Sequence, residues 1–344
     1  MDILKNTMLN IKTIEKFDKK LMYKIYDNWP QIAEEAYQTK YEKIKCKKIN
    51  HIVFAGMGGS GTIGDIFSSI FSCANIHVDV VKGYNLPKTV SKNTLVVITS
   101  VSGNTSETIS VLEKAIKNKC KTMAFSSGGK MIKICTKNNI EYRIISKHVN
   151  PRTSLVAYLY SILNVLQPII PIDKKEIEVS INELKKTQKI ISTKNLSSSN
   201  SAIKLAKSIS NTPVVYFPFG LGAVAIRFKN SLEENSKMHV IIEDVIEACH
   251  NGIVAWERKS KDFRPILIQG KDDNIKTKKH WSILKKFFRI KKIKYEEINS
   301  LEGGILSKII NLIYLLDYAT IYKAVIEKVD PCPVKPIDYV KKHL

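Results

Sequence analysis

The chain has 344 residues, enough for two domains of ordinary size, and its 44% apolar and 25% charged residues are the proportions of a globular protein rather than a disordered or fibrous one. The formal charge of +23, from 55 Lys and Arg against 32 Asp and Glu, raises nucleic acid as a partner. The lysines are spread instead through Lys19-Lys20, Lys43 to Lys48, Lys174-Lys175, Lys185-Lys186, Lys276 to Lys279 and Lys341-Lys342, with no arginine-rich stripe and interleaved aromatics, so the excess reads as solvated helix faces and no nucleic-acid function is expected.

Met1 to Asn6 lack the apolar stretch of a secretory leader. No run of about 18 apolar residues is read further on, so no membrane span is expected and the cytoplasm is the expected location. Residues 1–48 read as a helical arm, with Ile14, Phe17, Leu21, Ile25, Trp29 and Ile32 at helical spacing. The arm is too short for a DNA-reading helix-turn-helix and is expected to pack over a sheet or a partner subunit. From 49 to 172, predicted strands at 52–55, 76–81, 95–99, 122–125 and 142–145 alternate with predicted helices at 62–71, 106–117, 130–138 and 154–166. That alternation implies a parallel sheet covered on both faces. The segment Gln167 to Asp173, with two prolines, breaks the pattern and marks a domain boundary.

The second domain, 173–344, opens with a charged helix at 174–194 and a serine-rich loop at 196–201. Strands follow at 213–217, 239–243, 265–269 and 293–297, then a long apolar helix at 305–325 and a tail from Asp330. Gly220-Leu221-Gly222 stands where the first domain has its Gly-rich turn, so the second half reads as a weaker copy of the first. The expected class is α/β, with two domains each built on a parallel sheet flanked by helices. Six cysteines without Cys-x-x-Cys and seven histidines without metal-ligand spacing imply reduced thiols and no metal.

Two turns carry the chemistry. Gly56-Met57-Gly58-Gly59-Ser60-Gly61 follows the first strand. It nominally fits a dinucleotide fingerprint, but that fold wants an acidic residue ending the next strand, and here Asp79 lies inside it, before Val80-Val81-Lys82. No Gly-Lys-[Ser/Thr] is present, which excludes a Walker loop. The second turn, Ser100-Val101-Ser102-Gly103-Asn104-Thr105, crowds three hydroxyls at a strand end, with Glu107 just inside the helix. Each turn puts amides and hydroxyls at a helix N-terminus, where an anion is favoured. The plainer readings are a Gly-rich structural turn and a ligand-free Ser/Thr cap; caps use one or two hydroxyls, not three within six positions.

With Gly-Gly-Ser-Gly at 58–61 and Ser-Gly-Asn-Thr at 102–105, the chain resembles the sugar isomerase (SIS) domain family, and within it the two-domain phosphoglucose/phosphomannose isomerases. Ser126-Ser127-Gly128-Gly129-Lys130, Pro151-Arg152, the segment Arg227 to Lys237 and Glu247 to Asn251 extend the resemblance, as does the tail Asp330-Pro331 with Ile337 to Lys341. It covers nearly the whole chain in order. The resemblance implies that Gly58, Gly59, Ser60, Ser100, Ser102 and Thr105 bind the phosphate of a sugar 6-phosphate. It implies that Glu234 is the catalytic base, that His250 opens the sugar ring, that Arg152 stabilises the intermediate and that Lys341 lies near the sugar. It further implies a homodimer in which His250 crosses from the other subunit, and no cofactor.

The carboxylate chemistry is intelligible without the family. Moving a carbonyl between C1 and C2 needs a proton removed beside it and returned one carbon over, which one base can do through an enediol(ate). Beside Glu234, Glu233 reads as a solvated or ion-paired residue, with Arg227 or Lys229 as partner. The chain departs from the group at Gly252, where Glu is common, and at Val101, where an aromatic is common. A non-catalytic sugar-phosphate sensor is the alternative function. It lacks a DNA-reading domain here, while both Glu234 and His250 are present; an amidotransferase's isomerase half would need a glutaminase domain.

Overall fold

A computed structural model describes residues 9–46, 49–258 and 261–343. The leader reading at residues 1–6 and the end of the arm at 47–48 lie outside them. The arm forms three short helices, α1 (Ile11–Phe17), α2 (Met22–Asp27) and α3 (Trp29–Gln38). Then come β1 (His51–Ala55), α4 (Gly59–Phe71), β2 (His77–Val81), β3 (Thr94–Ser100), α5 (Ser106–Lys117), β4 (Lys121–Ser126), α6 (Gly129–Lys137), β5 (Glu141–Ile144) and α7 (Leu155–Leu166). The second half runs α8 (Lys174–Ile191), α9 (Ser201–Ser208), β6 (Thr212–Phe217), α10 (Gly222–Ser231), β7 (Ile241–Asp244), α11 (Val245–Ala248), β8 (Phe263–Gln269), α12 (Ile275–Ile290), β9 (Glu296–Asn299), α13 (Ile305–Ile326) and α14 (Lys335–Lys342).

Two compact units result, residues 28–182 and residues 1–27 with 183–344. This division differs from the expected boundaries at 48 and 172. The arm is no separate piece: it divides between Asp27 and Asn28, and the second division falls inside α8. The arm breaks because Leu21 sits at φ 53 and the Asp18 carboxylate accepts the Tyr23 amide at 2.8 Å, ending one helix and starting the next.

The first unit holds a five-stranded sheet of order β2-β1-β3-β4-β5, every pair parallel. β1 and β3 are buried throughout, as a sheet covered on both faces requires. On one face Val53, Val96, Ile98 and Ala124 pack with Val111, Leu112 and Ala115 of α5 and with Met131 and Cys135 of α6. α3 belongs to this unit, its Trp29 indole donating to the Thr153 carbonyl at 3.3 Å.

The second unit repeats the plan with a four-stranded parallel sheet, β7-β6-β8-β9. Position for position this is the first sheet without its last strand. Two strands start later than expected, for local reasons. Met238 is drawn into closing the helical segment before β7, its N–H bonding the Leu232 carbonyl. Ile293 closes α12, its N–H bonding the Phe288 carbonyl at 2.8 Å, and packs with Tyr295 beside that helix. α9 begins one residue inside the expected serine loop, because the Asn200 side chain accepts the Ile203 amide at 3.0 Å and caps it.

α13 is the long apolar helix expected at 305–325; by length and composition alone it could cross a membrane, its most apolar 18-residue stretch having a mean hydropathy of 1.5. The helix is buried along its length and carries Asp317, which the Arg227 guanidinium of α10 meets through Nη2 at 2.6 Å and Nε at 3.0 Å. Ser231 Oγ donates to the same carboxylate at 2.6 Å, and the Tyr26 hydroxyl reaches it at 3.3 Å. A charge pair of this kind sits in a protein core, and it fixes α10, α13 and α2 to one another. Both partners are essentially sealed from water. Asp317→Ala leaves a buried cation without its carboxylate and is expected to cost about 3–5 kcal/mol, seen as a lower urea midpoint; an unmoved midpoint would show the pair to be dispensable.

Candidate active site

Parallel strands deliver their following turns to one edge of a sheet. At that edge of the first unit lie the two sequence-marked turns and a third, 126–129. α4 starts at Gly59 after Gly58, whose φ of 53 suits glycine, and no side chain caps it. The turn is tight: a Cβ on Gly56 would stand 2.7 Å from the Ser60 backbone, and one on Gly61 2.9 Å from the Gly56 carbonyl. Ser60 is buried beneath it. α5 likewise starts at Ser106 with no side-chain cap from Thr105, so both helices present N-terminal amides.

The hydroxyls of the second turn organise one another. Ser100 Oγ and Thr105 Oγ1 are 3.1 Å apart, the Gly103 amide donates to Ser100 Oγ at 3.1 Å, and the Asn104 amide to Ser102 Oγ at 3.3 Å. Ser100 is buried and Ser102 exposed, which orders them from the floor to the rim. The third turn braces the second: Asn104 Oδ1 accepts the Lys130 amide at 3.0 Å, Ser127 Oγ donates to the Val101 carbonyl at 2.6 Å, and Met131 N–H bonds the Gly103 carbonyl at 2.9 Å. Lys82, at the end of β2, is a cation that sequence reasoning passed over. Its Nζ pairs with Asp65 Oδ2 at 2.6 Å, and its Cε would lie 3.2 Å from a Cβ on Gly61. Burial pushes the Asp65 carboxyl above its usual range although Lys82 pulls it down. The available signal was a basic residue ending the strand beside a Gly-rich turn.

Arg152 lies in the turn before α7 and is buried. Asn150 builds that turn: its Oδ1 accepts the Thr153 amide at 3.0 Å, and its carbonyl accepts the Thr153 and Ser154 hydroxyls at 2.9 and 3.0 Å.

In the second unit Glu234 sits on a π-helical turn, Leu232–Ser236, that continues α10 and ends at Lys237 with φ 57. Such turns widen a helix and recur at functional sites. Asn235 donates to Thr320 Oγ1 at 2.8 Å and Ser236 to the Thr320 carbonyl at 2.9 Å, anchoring the turn on α13. Lys237 Nζ donates to the Glu234 carbonyl and, at 2.8 Å, to the Pro333 carbonyl, tying the tail to the Glu234 turn. The negative charge of Glu234 also acts on Arg227; burial lowers that guanidinium's pKa, but Asp317 and Glu234 hold it above its ordinary value. Glu233 behaves as its sequence suggested, paired with Lys229 at 2.9 Å, whereas Arg227 is committed to Asp317.

His250 follows α11 and is exposed. Asp244 caps α11 by accepting the Ile246 and Glu247 amides, and Asn251 donates to Glu247 Oε1 at 2.7 Å. At Gly252 the space of a side chain is taken by Glu243, whose Oε1 would lie 2.3 Å from a Cβ there. Burial, then the nearby Glu247, pushes the Glu243 carboxyl up. Lys341 is on α14, which buries none of its side chains.

Two family models match the chain. One described as the bacterial phospho-glucose isomerase C-terminal SIS domain matches residues 198–344, and one described as the SIS domain matches 43–165. The bifunctional phosphoglucose/phosphomannose isomerase of Aquifex aeolicus is 30% identical over 321 residues, 92% of this chain and 94% of that one. The protein of that name from Caldicellulosiruptor bescii is 28% identical over 338 residues, 94% and 98% of the two chains. Among solved structures, a hypothetical protein from Thermus thermophilus shares the fold with a TM-score of 0.69 at 11% identity, covering 97% of this chain and 89% of its own. The C-terminal domain of the glucosamine-fructose-6-phosphate aminotransferase from Francisella tularensis gives 0.64 at 17%, covering 91% and 98%.

The cradle can be tested through its glycines. Gly58→Ala meets no atom within 4 Å, so only its backbone conformation opposes the change, at about 1–3 kcal/mol. Gly103, at φ 66, would place a Cβ 1.8 Å from the Gly128 carbonyl. Gly103→Ala is therefore expected to lower the thermal midpoint well beyond Gly58→Ala; equal midpoints would show that the third turn does not brace the second.

Proposed function

Since this chain belongs to the bifunctional phosphoglucose/phosphomannose isomerase family and is a sugar-phosphate isomerase, we propose that it interconverts glucose 6-phosphate and mannose 6-phosphate with fructose 6-phosphate, Glu234 serving as the base. The observation that carries the assignment is how Glu234 is held. Its backbone is pinned through Asn235 and Ser236 to α13 and through Lys237 to the tail, so a carboxylate is presented on a turn that cannot drift. Preorganisation of this kind lets a base act without reorganising at the moment of reaction.

In the proposed cycle the phosphate binds at Gly58, Gly59, Ser60, Ser100, Ser102 and Thr105, where uncapped helix amides and hydroxyls supply donors for a dianion. His250 protonates the ring oxygen as the hemiacetal opens. Glu234 then takes the C2 proton of the aldose and returns it to C1, passing through an enediolate. Arg152 offsets the enediolate charge with its N–H donors, and Lys341 lies near the sugar. Epimeric aldoses converge on one enediolate, because C2 loses its configuration there, so one base serves both substrates. No cofactor enters. The cytoplasm is the proposed compartment, and the proposed assembly is a homodimer in which an exposed His250 serves the other copy.

Glu234→Gln keeps the shape of the side chain and removes the base. It is expected to lower kcat about 10²- to 10⁴-fold in a coupled assay with little change in KM, whereas Ser102→Ala and Thr105→Ala raise KM. Full activity in Glu234→Gln would end the assignment. If His250 crosses between copies, co-refolding inactive Glu234→Gln and His250→Ala chains restores about a quarter of wild-type activity, one intact site in each mixed dimer. No recovery would place base and histidine in the same chain.

A further inference from the structure

The N-terminal edge of the first sheet, opposite the phosphate cradle, carries a cluster that isomerisation does not use. His51 opens β1 and His77 opens β2, and the parallel register pairs the two directly. Registered partners lie about 4.8 Å apart and project from one face, and Asp79, two residues beyond His77, projects from it too. His51 Nε2 lies 3.0 Å from Asp79 Oδ2, and His77 Nε2 3.6 Å from Asp79 Oδ1. The two imidazoles have centroids 5.1 Å apart. One ligand atom from each of the three side chains lies within 4.8 Å of the others.

We propose that His51, His77 and Asp79 form a binding site for a zinc-class divalent cation, with water completing its shell. Ligands 2.0–2.1 Å from a tetrahedral ion stand about 3.3 Å apart, so the cluster needs only a modest closure. His77, 67% exposed at its side chain, is free to turn inward for it. Thr94 supplies the orienting contact. It is the third member of the registered row, and its Oγ1 lies 3.1 Å from His51 Nδ1 while accepting the Ser91 amide at 2.9 Å. An ion at Nε2 replaces the Nε2–H donated to Asp79 Oδ2, and an Nδ1–H donated to the remaining Oγ1 lone pair then holds the imidazole in the metal-binding tautomer, the usual support of a metal-bound histidine. Two imidazoles with one carboxylate favour Zn²⁺ over Mg²⁺ or Ca²⁺, which prefer all-oxygen shells. β2 is an edge strand, and an ion held by residues of both strands would fasten it to β1.

The test is calorimetric titration of tag-free, metal-stripped full-length protein with Zn²⁺, with Mg²⁺ as the control. One saturable Zn²⁺ site is expected, lost in His77→Ala and in Asp79→Asn and weakened about 10- to 100-fold in Thr94→Val. Circular dichroism checks that each variant is folded, and exposed His77 makes His77→Ala the variant that leaves the core untouched. Zn²⁺ should also raise the thermal midpoint of the wild type and not that of His77→Ala. Absence of Zn²⁺ binding, equal binding by His77→Ala, or equal affinity for Mg²⁺ would overturn the proposal.

Discussion

A parallel sheet sends every strand out at one edge and receives every strand at the other, and in this protein that single constraint sorts the chemistry. Hydrogen bonding fixes His51 opposite His77 and Thr94, and Ala55 opposite Val81 and Ile98. The turns after β1, β3 and β4 therefore converge whatever lies between them in sequence. Their glycines allow the backbone to approach closely, and their hydroxyls and uncapped helix starts turn the edge into a set of donors. The opposite edge collects the first residues of the same strands, which is how His51 becomes a neighbour of His77 and Asp79.

The second unit uses the same frame differently. Its turn after β6, at Gly220-Leu221-Gly222, has few hydroxyls, and its candidate base, Glu234, stands at the far end of the following helix. There the Arg227–Asp317 pair secures α10 to α13 before the helix widens at Leu232–Ser236. A buried ion pair is weak evidence of net stability. Its geometric consequence is firmer: with Arg227, Ser231, Asn235 and Ser236 all bonded to α13, the backbone of Glu234 has little freedom. Lys237 completes the arrangement by joining this turn to the tail at Pro333.

Much of this was legible beforehand because it is local. Alternating apolar runs and Gly/Ser turns give the two α/β halves, and α5 at Ser106–Lys117 was read to its bounds. What escaped has a physical reason each time. Ile293 and Tyr295 look like a strand start but cover the end of α12. The arm looks continuous on helical spacing, yet Asp18 and Leu21 break it and its parts join different units. α13 was legible as a long apolar helix, but why its Asp317 is tolerated is not, because the partner Arg227 stands on another helix far away in the chain.

Sequence alone determined the class of fold and singled out the two Gly/Ser turns as candidate anion sites and Glu234 as the candidate base, since these readings rest on local patterns and on a motif order that spans the chain. Tertiary structure alone decided that Asp65 and Lys82 pair at the cradle, that Glu243 fills the space beside Gly252, and that His51, His77 and Asp79 share a face. Those outcomes depend on strand register and on helix packing. Neither is written in residue spacing, because a neighbour across a sheet or a helix interface can stand at any distance along the chain.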